Sequence, residues 1–251
     1  MGLNFGRKKM HNFILSNADT DSVSICKHDG SYFSVEERKN LLEELNSIMP
    51  AKVRWDDDGY YSTMVVIKAK NYILKDESGK VKVKGSGLKS PNREPALREF
   101  IDRLIDCLLN DHIDNVKNIY NEYVKECFLV SDISRWCNKK TITSKVLSPE
   151  RTNEQSVFDA IQGSDYVEGD KCYFYFDMNG KPKLREKWTQ DHDPVKLLGK
   201  LYNTACIFET VLNKSDFPNY ALVKNQNIAR EMAGIPIVVK EKKTRKKKDA
   251  T

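Results

Sequence analysis

Two carboxylates, Asp19 and Asp21, stand two residues apart in the short connection between two apolar runs of the stretch FILSNADTDSVSIC, residues 13–26. Along a strand, residues i and i+2 project to the same side. Both carboxylates can therefore leave a hairpin edge together. Like charges held this close repel, and a divalent cation is the simplest neutraliser. Mg²⁺ takes carboxylate oxygens and keeps positions open for water and substrate phosphates. Two such ions roughly 3.5–4 Å apart drive in-line phosphoryl or nucleotidyl transfer. The other reading is ordinary turn chemistry, in which Asp and Ser side chains bond to nearby backbone. The apolar runs on both sides favour carboxylates presented at the edge of a sheet.

The elements that position this pair are legible as patterns. Residues 13–16 and 23–26 read as strands of a β-hairpin. Ser34-Val35-Glu36-Glu37 reads as a capping box opening a helix with Leu41, Leu42, Leu45 and Ile48 at helical spacing, closed before Pro50. Asp56-Asp57-Asp58-Gly59 is a turn signal, and YYSTMVVIKAKNYILK is strand-like, rich in β-branched and aromatic residues. KVKVKG alternates strictly, which puts Lys80, Lys82 and Lys84 on one face. That face suits a phosphate backbone or plain solvent. The first third is thus expected to be one antiparallel sheet with a covering helix.

The polar, Pro-containing stretch KSPNREP marks a boundary near residue 92. Beyond it the chain is expected to be mainly helical. Two helices broken near Asn110–His112 come first, then short helices with a basic loop over 132–163. A small hairpin follows, turning at Asn179-Gly180, then an amphipathic helix behind an Asp193 N-cap and Pro194. The basic loop carries Lys139, Lys140, Lys145 and Arg151, a possible set of phosphate contacts or an ordinary surface loop. The end, VVKEKKTRKKKDAT, reads as a basic tail that is either solvated or bound to a polyanion.

Composition sets bounds. With 251 residues, 39% hydrophobic and 31% charged, the chain can bury one large core or two small ones. No apolar run approaches the ~20 residues of a membrane span, and no secretory signal is evident. The cytoplasm, a host's if the source is viral, is the expected compartment, with no membrane partner. Six cysteines form no Cys-x-x-Cys and the four histidines show no ligand spacing, so reduced, mostly core thiols are expected. A net charge of +6 alone does not separate a nucleic-acid binder from other soluble proteins.

NADTDSVSI resembles motif C of family B DNA polymerases, usually Tyr-Gly-Asp-Thr-Asp-Ser. Downstream, KAKNYIL resembles the family's Lys-x-Tyr palm motif, with Lys70 and Tyr72 in the matching places. KVKVKGSGLKSPNREPALREF is similar to the lysine- and glycine-containing stretch that runs from palm into thumb. SPERTN and VEGDKCYFYF fit a thumb of the compact, phage-like members. The resemblance spans roughly residues 13–235. It implies an α+β fold: the C-terminal part of a polymerase palm over 1–92, a DNA-binding thumb over 93–235 and a flexible basic tail over 236–251.

By that resemblance Asp21 is a ligand shared by two Mg²⁺ ions, and Asp19 a ligand or near-ligand. Lys70 and Tyr72 hold the primer near its growing end. Lys82, Lys84, Arg93, Lys139, Lys140, Lys145 and Arg151 contact primer–template DNA. Asn17-Ala18 replaces the usual Tyr-Gly, which leaves the carboxylates intact and the subfamily open. Neither the motif A aspartate nor the fingers segment that holds the dNTP is recognisable. The expectation is therefore a chain inactive alone, completed by an N-terminal polymerase chain carrying exonuclease, motif A and fingers. The nearness of motif C to Met1 suggests a naturally split polymerase; a truncated product is the competing explanation. Two other classes stand beside it: a non-catalytic DNA-binding protein, indifferent to loss of Asp19 and Asp21, and an unrelated α+β interaction protein with no salt-dependent DNA binding.

Overall fold

The computed structural model describes residues 13–150 and 152–237. Among these residues, seven helices and three small antiparallel sheets make a mixed α+β chain. It divides into two compact units between Lys89 and Ser90. No helix among the described residues is long and apolar enough to cross a membrane.

The first unit contains β1 (Phe13–Asp19), β2 (Ser22–Lys27), α1 (Val35–Ser47), β3 (Thr63–Lys68), β4 (Asn71–Lys75) and β5 (Val81–Lys84). The expected single sheet is two: a β1–β2 hairpin and a β3–β4–β5 meander. The strand-like run around KAKNYIL folds back on itself at Ala69–Lys70, so β3 and β4 take each other's hydrogen bonds and β5 takes the next edge. Local pairing satisfies these strands without β1 or β2.

The capping box is present. Ser34 Oγ accepts from the Glu37 backbone N–H at 3.2 Å, and the Glu37 carboxylate accepts from the Ser34 N–H at 2.7 Å. The same carboxylate takes Lys27 Nζ at 2.7 Å, which ties the start of α1 to the end of β2. That bond, followed by the Ser34 N–H, lowers the Glu37 pKa. Phe13 stacks on Phe33 at 5.4 Å beside it.

The second unit holds α2 (Pro95–Leu109), α3 (Val116–Phe128), β6 (Asn138–Thr141), α4 (Ser144–Leu147), α5 (Thr152–Ile161), β7 (Lys171–Phe176), β8 (Pro182–Leu184), α6 (Pro194–Ala205) and α7 (Gln226–Met232). Phe100, Leu104, Tyr120, Leu201 and Phe217 from the helical part are almost wholly buried. Each such side chain contributes roughly 1.5–3 kcal/mol over its exposed state. The expected hairpin gains a third strand: Asn138–Thr141, read as loop, pairs with β7. Cys137 and Ile142 are buried at its two ends, so a charged segment is pinned into the sheet as a short edge strand. Asp177 builds the β7–β8 turn by accepting the Asn179 and Lys181 N–H groups, both at 2.9 Å. All six thiols are free and four of them are buried.

A partly buried ion pair crosses this unit. Glu94, just before α2, accepts from Lys200 Nζ of α6, and Lys200 also reaches Asn138 Oδ1 of β6 at 3.0 Å. His192 is buried too, with Nε2 against the Cys127 carbonyl at 3.3 Å. Burial lowers its pKa, and that bond with the Asp191 and Asp193 carboxylates offsets the shift only in part. The unfolded chain therefore binds this proton more readily than the folded one. Stability from His192 is fully present above the unfolded pKa near 6.5 and is lost as pH falls through it towards the lower folded value. Urea unfolding is expected to show the wild type losing stability over that window, and His192→Gln losing less. Equal losses in the two proteins would remove His192 as the cause.

Candidate functional site

The Asp19–Asp21 motif folds as a two-residue hairpin turn. Asp19 pairs with Ser22 at the end of the ladder, and Thr20 and Asp21 form the loop. Strand alternation thus stops at Asp19, and Asp21 projects from the turn itself. Asp19 is half-buried and Asp21 exposed. Thr20 Oγ1 donates to Asp19 Oδ1 at 3.1 Å, and Ser22 Oγ donates to the Asp19 carbonyl at 3.1 Å. Thr20 has φ +56°. Positive φ is a marked outlier for a β-branched residue, and two-residue hairpins normally place Gly, Asn or Asp there. The strain, of order 1–2 kcal/mol, is held between the two carboxylates.

Lys70 repeats the pattern. It sits at the β3–β4 turn with φ +62°. The following glycines lock that turn. Asn71, buried, donates to the Ala69 carbonyl at 3.1 Å and accepts the Gly87 N–H at 3.0 Å. A Cβ on Gly85, itself at φ +104°, would stand 2.3 Å from the Lys70 carbonyl oxygen and 2.5 Å from Asn71 Oδ1. The GSG of the sequence is therefore the floor on which the Lys70 turn rests.

Tyr72, opposite Lys84 in the meander, shares its face with Lys82 and Lys84. Lys80 lies in the turn before β5, its N–H bound to Asp76 at 2.9 Å, so it does not join the pair as alternation suggested. Lys82 Nζ is 3.1 Å from the Tyr61 hydroxyl. That bond chiefly raises the Lys82 pKa, with Asp58 adding to it. The Tyr72 phenol is pushed above its ordinary value by burial first and by the Asp19 carboxylate second. Asp19, Lys82, Asp58 and Tyr61 thus all act on the Tyr72 phenol within this unit. The last two escape a reading by motif. Asp58 is hidden in a turn-like run of three aspartates, and Tyr61 in a strand-like stretch.

The other sequence-derived residues do not gather. Arg93 belongs to the second unit and is half-buried, with its pKa lowered by that burial and restored in part by Glu94. Lys139 and Lys140 stand opposite Tyr173 and Cys172, so they point to opposite faces of β6. Lys145 is exposed in α4. Arg151 and the tail from residue 238 lie outside the described residues.

No family model matches the chain, and no curated protein matches it. The site must be read from its own chemistry. Among the described residues no three His, Cys, Asp or Glu side chains are gathered to hold a metal ion. Asp19 and Asp21 offer two carboxylates, oxygen donors only, which fits a hard divalent cation by type and leaves most of its coordination to water, substrate and further groups.

Proposed function

We propose that this chain is the C-terminal portion of a family B DNA-directed DNA polymerase, comprising the last part of the palm and the thumb. The observation that carries the reading is the order and spacing of two motifs. The one resembling motif C and the Lys-x-Tyr one lie 51 residues apart, from Asp19 to Lys70, and each closes an antiparallel hairpin, β1–β2 or β3–β4, within one unit. Each motif also turns on a strained, non-glycine residue, Thr20 or Lys70. Such strain is characteristic of functional turns.

In this reading Asp21 and Asp19 hold Mg²⁺ together with a motif A carboxylate of an N-terminal polypeptide, which also supplies the fingers that bind dNTP. Bound there, Mg²⁺ supplies the charge neutralisation that in-line nucleotidyl transfer requires. The chain's own residues orient the primer. Lys70 places a point charge against its backbone, Tyr72 offers a rigid ring with a polar tip, and Lys82 and Lys84 extend the cationic face. The second unit would grip duplex DNA through its phosphates, without reading sequence; Lys139 and Lys140 point to opposite faces of β6, so only one of them can share a grip with Lys145, Arg93 or Arg151. Primer extension assayed for this chain, for the motif A polypeptide and for their mixture tests the reading. Extension is expected from the magnesium-containing mixture only; full activity from this chain alone would overturn it.

Lys70 separates a working residue from a structural one. Lys70→Gly is expected to raise the stability of the first unit by roughly 0.5–1 kcal/mol. That is the ~1–2 kcal/mol of left-handed strain less the entropy glycine adds to the unfolded chain. Primer–template affinity is expected to fall, and the salt dependence of binding to drop by about one phosphate contact. Higher stability with unchanged DNA binding would reduce Lys70 to a turn residue.

A further inference from the structure

Lys82 is held by a neutral partner. Its Nζ donates to the Tyr61 hydroxyl at 3.1 Å across 21 residues of sequence, and lies 5.6 Å from the centre of the same ring. No carboxylate among the described residues pairs with it, and Asp58 acts on it only from a distance. A lysine ammonium has three N–H donors. Tyr61 takes one of them, which leaves two on a side chain whose course is already fixed.

The register shows which face those donors serve. Lys82 stands opposite Leu74 and Lys84 opposite Tyr72. Residues two apart on a strand share a face, so Lys82, Lys84 and Tyr72 lie on one side of the meander. Tyr61 precedes β3, which lies on the other side of β4 from β5. The Lys82–Tyr61 bond thus crosses the buried Leu74 of β4.

The acidic turn before Tyr61 seats its ring. Asp57 Oδ1 accepts the Gly59 N–H at 2.9 Å. Gly59 has φ +124°, a conformation that glycine takes at no steric cost. A Cβ built there would stand 3.6 Å from Tyr61 Oη, so the turn backbone lies against the end of the ring.

The type of partner matters. A carboxylate in the place of Tyr61 would orient Lys82 and cancel its charge. A phenol orients it and leaves the charge whole, ready for an anionic group of another molecule. Fixing the side chain in advance also spares rotamer entropy that binding would otherwise cost. We propose that Tyr61 is a positioning residue that presents Lys82 to a backbone phosphate of the primer strand. This rests on the polymerase reading, which names the strand.

Binding of primer–template DNA by the full-length chain, followed by fluorescence anisotropy over a salt series, tests this in a double-mutant cycle. Tyr61→Phe keeps the ring and removes the oxygen. It is expected to weaken binding roughly three- to tenfold and to keep the wild-type salt slope, because the charge stays. Lys82→Gln should weaken binding and lower the slope by about one phosphate contact. With Lys82→Gln in place, Tyr61→Phe should cost less than about twofold more, whereas its full effect should persist beside Lys84→Gln. Amide exchange in β3, β4 and β5 should be that of the wild type. Tyr61→Phe binding like wild type, effects of Tyr61→Phe and Lys82→Gln that add, a lowered salt slope or faster meander exchange in Tyr61→Phe, or absence of DNA binding would each overturn the inference. The expected cycle without primer extension when the motif A polypeptide is added would overturn the polymerase reading alone.

Discussion

On the polymerase reading, Asp21→Asn is expected to lower primer extension, assayed with the motif A polypeptide present, on the order of a thousandfold. Metal-borne charge stabilisation is worth several kcal/mol in the transition state, and each 1.36 kcal/mol is about tenfold in rate. Asparagine keeps the shape of the exposed turn residue and removes the charge that would hold the cation on that reading. Primer–template affinity should stay near wild type, because phosphate contacts dominate it. Asp19→Asn should act in the same direction and carry a readout independent of activity. The Asp19 carboxylate helps to raise the Tyr72 phenol, so tyrosine titration by ultraviolet absorbance should show one phenol ionising at lower pH, absent when Tyr72 is Phe. Extension within tenfold of wild type for Asp21→Asn would return the motif to ordinary turn chemistry.

The second large effect falls on stability. Gly85→Ala would push a methyl group to 2.3 Å from the Lys70 carbonyl oxygen at a residue with φ +104°. Overpacking costs about 1–3 kcal/mol, and the positive φ adds about 1–2 kcal/mol for a non-glycine residue. A loss of roughly 2–5 kcal/mol is expected in a unit whose described residues include four buried apolar side chains. Hydrogen exchange should therefore rise through β3, β4 and β5 while α2 and α3 keep their protection. Gly87→Ala should follow, since its Cβ would stand 2.6 Å from Asn71 Oδ1. Unchanged exchange in the meander would mean that the loop re-routes at little cost, and Asn71 would then not be its clamp.

The helices were the most legible part of the chain. Ser34 and Glu37, Asp193 and Pro194, and the break at Asn110–His112 each carry local capping or breaking chemistry, and the structure has them. Strand partners were less legible, because alternation states which face a residue takes and not which strand it pairs with. The run through KAKNYIL hid its own turn: Ala69-Lys70 lacks Gly, Asn or Asp, yet Lys70 is left-handed, and its carbonyl oxygen lies where a side chain on residue 85, 15 positions downstream, would have to go. Asn138–Thr141 was hidden by its two lysines, which suit a solvated loop as well as an edge strand. Of the candidate site, Asp19 and Asp21 stand out by type and spacing alone. The convergence of Tyr72, Lys82, Tyr61 and Asp58 depends on tertiary packing that no short pattern encodes.

The Glu94–Lys200–Asn138 network sets the order in which the second unit can be completed. Glu94 and Lys200 are 106 residues apart in sequence, and Lys200 and Asn138 are 62 apart. Tyr120 adds another distant closure, donating to the Pro218 carbonyl 98 residues on at 2.9 Å. Contacts of such separation form late, because loop-closure entropy must be met before they stabilise anything. During synthesis α2 and α3 can form early, but Glu94 cannot meet Lys200 until α6 has left the ribosome. The helices and the β6–β7–β8 sheet are then expected to gain hydrogen-exchange protection together, as one cooperative unit.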